Sequence, residues 1–121
     1  MSVFDASALL AWLQGEDGTD VVERNLEAGG RCGAANWSEV AQKVLAAGQD
    51  WDLVRALLVS YPLEVEPVLG PDAEWAARRW RRGEGLSLAD RLCLALAERT
   101  DEEVWTADTS WGRAGRVRQI R

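Results

Sequence analysis

Apolar and polar positions along the chain follow two periodicities in turn, and each predicts a different element. Short β-rich stretches predict five strands, at 2–4, 31–35, 63–68, 103–108 and 116–120. The helical period is clearest in "NWSEVAQKVLAA", where one face collects Trp37, Val40, Ala41, Val44 and Leu45. In all, six helices are predicted, at 6–13, 19–28, 36–47, 50–60, 71–82 and 87–97.

This alternation of strands and helices predicts an α/β fold. Strands joined through helices run parallel in one sheet with helices on both faces, which makes a three-layer α/β/α sandwich. The 121 residues are enough for one domain with its own core, and we predict a single domain over 1–121. Ligands of such sheets bind at the carboxyl ends of the strands.

Three acidic residues are expected at that edge. Asp5 follows the first predicted strand, and Asp108 ends the fourth. Glu39 belongs to the helix that directly follows the second strand, with Asn36 as the predicted N-cap three residues earlier. Because parallel strands end at one edge of the sheet, these carboxylates are predicted to lie together.

A fourth carboxylate begins the predicted helix at 87–97. Asp90 stands three residues after Ser87, in the arrangement of a capping box. We expect it at the same edge because its helix runs back into the fourth strand. Each of the four acids also has an ordinary structural interpretation, as a helix cap or a turn former. Together they repel one another, and a divalent cation would remove that repulsion.

The absence of histidine narrows the chemistry. It removes the most common general base and transition-metal ligand, excludes Ser-His-Asp and Cys-His catalysis, and argues against a zinc site. Oxygen ligands alone favour a hard ion, so we predict Mg²⁺ or Mn²⁺ as the cofactor. One or two such ions can activate water and stabilise an in-line displacement at phosphorus.

The cysteines and the apolar runs indicate the cellular compartment in which the protein is expected. Cys32 and Cys93 both stand in apolar surroundings and are predicted to be buried, reduced thiols, which favours a cytoplasmic location. The N-terminal segment lacks the basic start of a signal peptide, and no apolar run approaches the roughly 18 residues of a membrane span. We therefore predict no membrane association.

The net charge of −6 excludes a general attraction to nucleic acid, so any such contact must be local. Lys43 is the only lysine, and the arginines cluster at 78–82 and 112–121. These clusters are either solvated faces or contacts for RNA or a partner. The candidate contacts are Arg78, Arg79, Arg81, Arg82, Arg113 and Arg116.

Four segments together resemble the PIN-domain family, and most closely the VapC-type toxins of toxin–antitoxin pairs. They are "VFDASALLAWL", "NWSEVAQK", "LSLADRLCLALA" and "VWTADTSW". They come in the family's order and at similar spacing, and the resemblance covers nearly the whole chain. It implies a PIN-like sheet with strand order 3-2-1-4-5. It also implies a metal-dependent endoribonuclease that hydrolyses RNA phosphodiesters with a metal-activated water.

The same resemblance assigns site residues and partners. The family's acidic quartet carries over onto Asp5, Glu39, Asp90 and Asp108. Of these, Asp5 and Asp90 match the acids most regularly assigned to the metal. Supporting polar positions are matched by Ser7, Asn36 and Thr106. The implied partners are an RNA substrate, a second copy of the chain in a homodimer, and a cognate antitoxin with a basic or apolar inhibitory segment.

Three other interpretations remain open at this point. A phosphoacceptor signalling domain would have a paired acid after the first strand and a late lysine, and neither is present. A non-catalytic module could bind a basic peptide through its acidic pocket. A PIN nuclease of RNA processing or DNA repair would carry the same acids outside a toxin system.

Overall fold

The computed structural model describes all residues, 1–121. Its five strands are β1 (Ser2–Phe4), β2 (Gly30–Gly33), β3 (Leu63–Glu66), β4 (Val104–Thr106) and β5 (Val117–Gln119). Its six helices are α1 (Ala6–Leu13), α2 (Thr19–Ala28), α3 (Ala34–Ala46), α4 (Trp51–Val59), α5 (Gly70–Arg79) and α6 (Leu88–Thr100). A short 3₁₀ turn covers Thr109–Trp111. None of the helices combines the length and the apolar character that a membrane crossing requires.

The strands form one parallel sheet in the order β3-β2-β1-β4-β5, which confirms the predicted order 3-2-1-4-5. The first strand is central, and its Val3 pairs with Arg31 of β2 on one side and Val104 of β4 on the other. The third strand stops at Glu66, two residues earlier than predicted, where Pro67 lacks the N–H that a ladder needs.

Two cores lie on opposite faces of this sheet. Phe4 belongs to the larger core, which α1, α2, α3 and α4 cover, and the adjacent Val3 belongs to the smaller core under α6. This follows from the alternation of side chains along a strand. Cys32 lies in the larger core and Cys93 in the smaller, both buried and unpaired, as predicted. The three-layer sandwich is confirmed.

The start of α3 differs from the prediction. The helix begins at Ala34, and its N-cap is Gly33, the last residue of β2, so Asn36 is not the cap. The strand passes into the helix with no linker, which the sequence pattern did not reveal. Asn36 instead lies inside the first turn, almost fully buried, and Glu39 lies one turn deeper than predicted.

The helix predicted at 71–82 also has different bounds. It begins at Gly70, with Pro71 in its first turn as predicted, and it ends at Arg79. Trp80 takes an extended conformation, with φ −60° and ψ 136°, which ends the helix. Arg81 and Arg82 therefore belong to the loop before α6 and do not extend the helix.

Candidate functional site

A pocket of about 210 Å³ opens at the carboxyl edge of the sheet. Its lining is mostly polar and comprises Asp5, Ala6, Ser7, Leu10, Glu39, Lys43, Asp90 and Asp108. These residues come from the segments that follow β1 and β4 and from three helices that are distant in sequence. All four carboxylates singled out in the sequence therefore line one pocket, called the acidic pocket below.

Asp5 is the most deeply held of the four, with 3% of its surface exposed. It is the N-cap of α1, and its Oδ1 accepts the N–H of Ala8 at 2.9 Å. The Thr106 hydroxyl donates to its Oδ2 at 2.6 Å, and the Ser7 hydroxyl lies 2.8 Å from both oxygens. The carboxylate is thus fixed by three donors, none of which is charged.

The electrostatics of Asp5 follow from this setting. The pKa of its carboxyl is raised from 3.8 to about 6, chiefly by burial and to a smaller extent by the nearby Asp90 charge. Hydrogen bonds from Thr106, Ala8 and Ser7 act in the opposite direction and only partly offset burial. Burying an ionised carboxylate without a cation costs free energy, so a bound cation would stabilise the ionised form of Asp5.

Two hydroxyls join the end of β1 to the end of β4. The Ser7 and Thr106 oxygens lie 3.1 Å apart, and both contact Asp5. Ser7 accepts the N–H of Ala107 at 2.9 Å, and Thr106 accepts the N–H of Asp108 at 3.0 Å. These bonds fix the backbone that carries Asp108 relative to Asp5.

Asp90 forms the predicted capping box. Its Oδ2 accepts the N–H of Ser87 at 2.9 Å, and its own N–H donates to the Ser87 hydroxyl at 3.0 Å. Its other oxygen, Oδ1, accepts no hydrogen bond from the protein. Since Asp90 raises the pKa of both Asp5 and Glu39, its charge acts on the whole pocket. One oxygen therefore caps the helix while the other is free for a ligand.

Glu39 is half-buried, and burial raises the pKa of its carboxyl, as does the charge of Asp90. Its Oε1 accepts from the Asn36 amide at 3.2 Å, and Lys43 is close enough to lower the pKa. The same Asn36 amide donates to the carbonyl of Ala89 at 3.4 Å. Asn36 therefore connects α3 to the start of α6 and orients Glu39.

Asp108 lies at the rim of the pocket and is exposed. Its Oδ1 accepts the backbone N–H of Ser110 at 2.9 Å and the Ser110 hydroxyl at 2.6 Å, which caps the 3₁₀ turn. The Gln119 amide donates to the carbonyls of Asp108 and Gly112, both at 2.9 Å, so the turn is fixed to β5.

No three acidic or thiol side chains are placed so that they could hold one metal ion together. Asp5, Asp90 and Asp108 each turn an oxygen toward a donor of their own helix or turn. The donor set nevertheless fits a hard cation, since every candidate ligand is an oxygen. Mg²⁺ commonly takes only one or two carboxylates and completes its shell with water and phosphate.

The structure also places a residue in the site that sequence reasoning did not assign to it. Lys43 lines the acidic pocket and is the only cationic side chain to do so. Its spacing from Glu39, four residues along one helix, is the signal that could have indicated this position. The pocket thus contains four carboxylates and one ammonium group.

The arginines that were candidate contacts lie elsewhere. Arg79 and Arg116 line a separate cavity of about 390 Å³ between α5, α6 and the segment that leads into β5. Each is already paired, Arg79 with Glu84 at 2.6 Å and Arg116 with Asp101 at 2.8 Å. The exposed remainder, which lines neither cavity, is Arg78, Arg81, Arg82 and Arg113.

Two solved structures superpose on nearly the whole chain. A toxin–antitoxin complex from Klebsiella pneumoniae covers 100% of this chain and 98% of its own, with a TM-score of 0.80 and 21% identity. VapC20 from Mycobacterium tuberculosis, a sarcin–ricin loop cleaving toxin, covers 97% of each, with a TM-score of 0.75 and 18% identity. No curated protein sequence matches the chain. The model of the PIN domain matches residues 2–117, and the chain therefore belongs to the PIN-domain family.

Proposed function

We propose that this protein is a divalent-metal-dependent endoribonuclease and acts as the toxin of a toxin–antitoxin pair. The observation that carries the proposal is the acidic pocket, in which four carboxylates gather at the carboxyl edge of a PIN fold without pairing to any cation of the protein. Two of the similar structures support the choice, since one is a toxin–antitoxin complex and the other a sarcin–ricin loop cleaving toxin.

The proposed metal ligands are Asp5 and Asp90, with Asp108 and Glu39 as the remaining members of the catalytic quartet. Asp5 is held rigidly by its three donors, and Asp90 offers a free oxygen at the start of a rigid helix. A bound Mg²⁺ or Mn²⁺ would supply an activated water and positive charge at the scissile phosphate.

The other residues of the pocket have positioning and proton-transfer roles. Ser7 and Thr106 hold the Asp5 carboxylate in place, and Asn36 orients Glu39. Because burial raises the pKa of Glu39, its carboxylate suits the transfer of a proton from an attacking water better than an exposed glutamate does. In a chain without histidine, no more common general base competes for this role.

The surface supports the proposed protein partners. On the packed pair α3 and α4, Leu45, Leu53 and Leu57 are exposed by 59%, 70% and 47%. These side chains are proposed antitoxin contacts, and a basic segment of the antitoxin in the acidic pocket would replace the charge of the metal with a guanidinium. A homodimer and a cytoplasmic location, which suits the unpaired cysteines, remain parts of the proposal.

The test is cleavage of RNA by the purified protein. Wild type is expected to cleave in Mn²⁺ or Mg²⁺ and to stop in EDTA, and D90N is expected to lose about 100-fold or more, since it removes a charged metal ligand. S87A is the matched control, because it removes the same helix cap and leaves the carboxylate. Equal cleavage by folded D90N would reject the assignment. A protein that binds basic peptides and never cleaves would be a binding module.

Nuclease activity outside a toxin system would give the same result in that assay. Co-expression with a small DNA-binding protein encoded next to the gene distinguishes the two, since an antitoxin should bind the chain and abolish cleavage. If no neighbouring gene encodes such an inhibitor, the chain is better described as a nuclease of RNA processing or DNA repair.

A further inference from the structure

Lys43 is chemically isolated in this protein. It is the only lysine of the chain, against 13 arginines, and it lies on the wall of the acidic pocket. It forms no ion pair and donates no side-chain hydrogen bond, whereas every ion pair in the structure is made by an arginine. The ammonium is therefore available to an external anion.

Lys43 is exposed, and its spacing from Glu39 would allow an ion pair that the structure does not contain. A glutamate four residues before a lysine on one helix is the favourable order for an ion pair. Glu39 instead accepts the amide of Asn36 at 3.2 Å, which draws its carboxylate toward the start of α6. The Lys43 charge still lowers the pKa of Glu39, so the ammonium acts on the pocket without being neutralised there.

The Lys43 ammonium reduces the net negative charge of the acidic pocket. With all groups ionised, four carboxylates and one ammonium make a net charge of −3, and a bound divalent cation brings it to −1. Without the lysine, the metal-loaded pocket would remain at −2. A phosphodiester is itself an anion, so the ammonium reduces the repulsion that the substrate meets.

We propose that Lys43 is a substrate-binding residue whose ammonium contacts a non-bridging oxygen of the RNA phosphate beside the metal. This inference rests on the proposed nuclease function. A lysine suits the role because its compact charge sits on a flexible stem that can follow the phosphate into the site. Lys43 is then the one element of the pocket that favours RNA and opposes the metal.

Opposite effects on the two ligands are therefore expected from K43Q. Removing the ammonium should weaken RNA binding and raise KM by about tenfold, as for the loss of a charged hydrogen bond. The same change should tighten Mn²⁺ binding by roughly two- to fivefold, because one repelling charge is gone. K43R keeps the charge and should restore RNA binding. A purely structural role would not move the two affinities in opposite directions.

The experiment compares wild type, K43Q and K43R with R55Q, which removes an exposed, unpaired cation of α4 that does not line the acidic pocket. Mn²⁺ binding is measured by calorimetry without RNA, and RNA affinity is measured with an uncleavable RNA analogue in Mn²⁺. Opposite shifts in K43Q but not in R55Q support the proposal. Equal values in K43Q and R55Q, or weaker binding of both ligands in K43Q, overturn it. If wild type binds the analogue but cleaves no RNA, the proposed function fails while these binding shifts still decide the role of Lys43.

Discussion

Two groups of carboxylates on this sheet are organised in opposite ways. In the first, called the Arg31 cluster, the guanidinium on β2 contacts Glu64 at 3.0 Å, Glu66 at 2.6 Å and Glu102 at 2.9 Å. In the acidic pocket, four carboxylates gather and none of them pairs with a cation. Both groups are built from segments that are far apart in sequence, so the fold brings acids together in each.

The difference lies in how the charge is balanced. Hydrogen bonds to Glu102 and Glu66 raise the pKa of Arg31, so this cluster is stabilised within the folded protein. In the acidic pocket, burial raises the pKa of Asp5 to about 6, so the free protein holds its carboxylate at a cost. A cluster whose carboxylates pair with a cation of the protein is structural, and one whose carboxylates form no ion pair indicates a ligand. The predictions below test this distinction.

The largest effect on stability is expected from R31M. The variant leaves the carboxylates of Glu66 and Glu102, with 18% and 12% of their side chains exposed, close together without a cation. We expect the free energy of unfolding to fall by about 3 kcal/mol in urea titrations. E64Q is the control, because Glu64 is 61% exposed and should cost under about 1 kcal/mol. Equal stability of R31M and wild type would remove the contrast between the two clusters.

Metal ions should stabilise only the acidic pocket. At about 100 times the dissociation constant, Mn²⁺ is expected to add roughly 2 to 3 kcal/mol to the folded state and to raise Tm. D90N should lose most of this gain, whereas E64Q in the Arg31 cluster should keep it. Thermal melts with and without Mn²⁺ measure the effect. A Tm that does not respond to saturating Mn²⁺ would contradict a metal site formed by these acids.

The raised pKa of Asp5 makes stability depend on pH in a defined direction. Between pH 3.8 and about 6 the folded state holds a proton that the unfolded chain has lost, so stability falls as the pH rises through this window. In EDTA, D5N should therefore be more stable than wild type by about 2 kcal/mol near pH 7.5, and the gap should close near pH 4. Urea titrations at both pH values give the result. A gap that does not change with pH would mean that Asp5 is ionised at little cost.

The smallest effect is expected from S87A, which separates capping from ligand binding at α6. Loss of the Ser87 hydroxyl should cost about 1 kcal/mol of stability, as for other N-caps. The Tm gain in Mn²⁺ should be unchanged, since the Asp90 carboxylate remains. A parallel loss of the Mn²⁺ response in S87A would show that the helix start, and not the carboxylate alone, controls the site.

Much of the fold follows from local patterns. The bounds of β1, α1 and α2 match the prediction residue for residue, because strand alternation, Asp5 as a cap and terminal glycines all act within a few residues. The start of α3 could not be predicted from local patterns, because Gly33 is both the last residue of β2 and the N-cap of α3. The capping box of Ser87 and Asp90 was predictable, because it depends on spacing alone.

The candidate site was only partly predictable from the sequence. Its four acids were predicted from positions near strand ends and helix starts, and parallel strands explain why they meet at one edge. Two positions were wrong in detail, since Asp108 lies two residues beyond the end of β4 and Glu39 lies one turn deeper in α3. The role of Lys43 was missed, since its spacing shows a neighbour of Glu39 and not a wall of the pocket. The arginines at 78–82 and 112–121 were predicted as candidate contacts, but none of them lines the acidic pocket.

By itself, the sequence determined the α/β class, the elements and the residues able to bind a hard cation, because hydrophobic period, caps and ligand chemistry are local properties. Tertiary structure alone decided which charges are balanced. Arg31 meets Glu102 across 71 residues, while the Lys43 ammonium stays unpaired one helical turn from Glu39. Electrostatic balance depends on distances of a few ångströms between distant segments, and only the folded chain sets those distances.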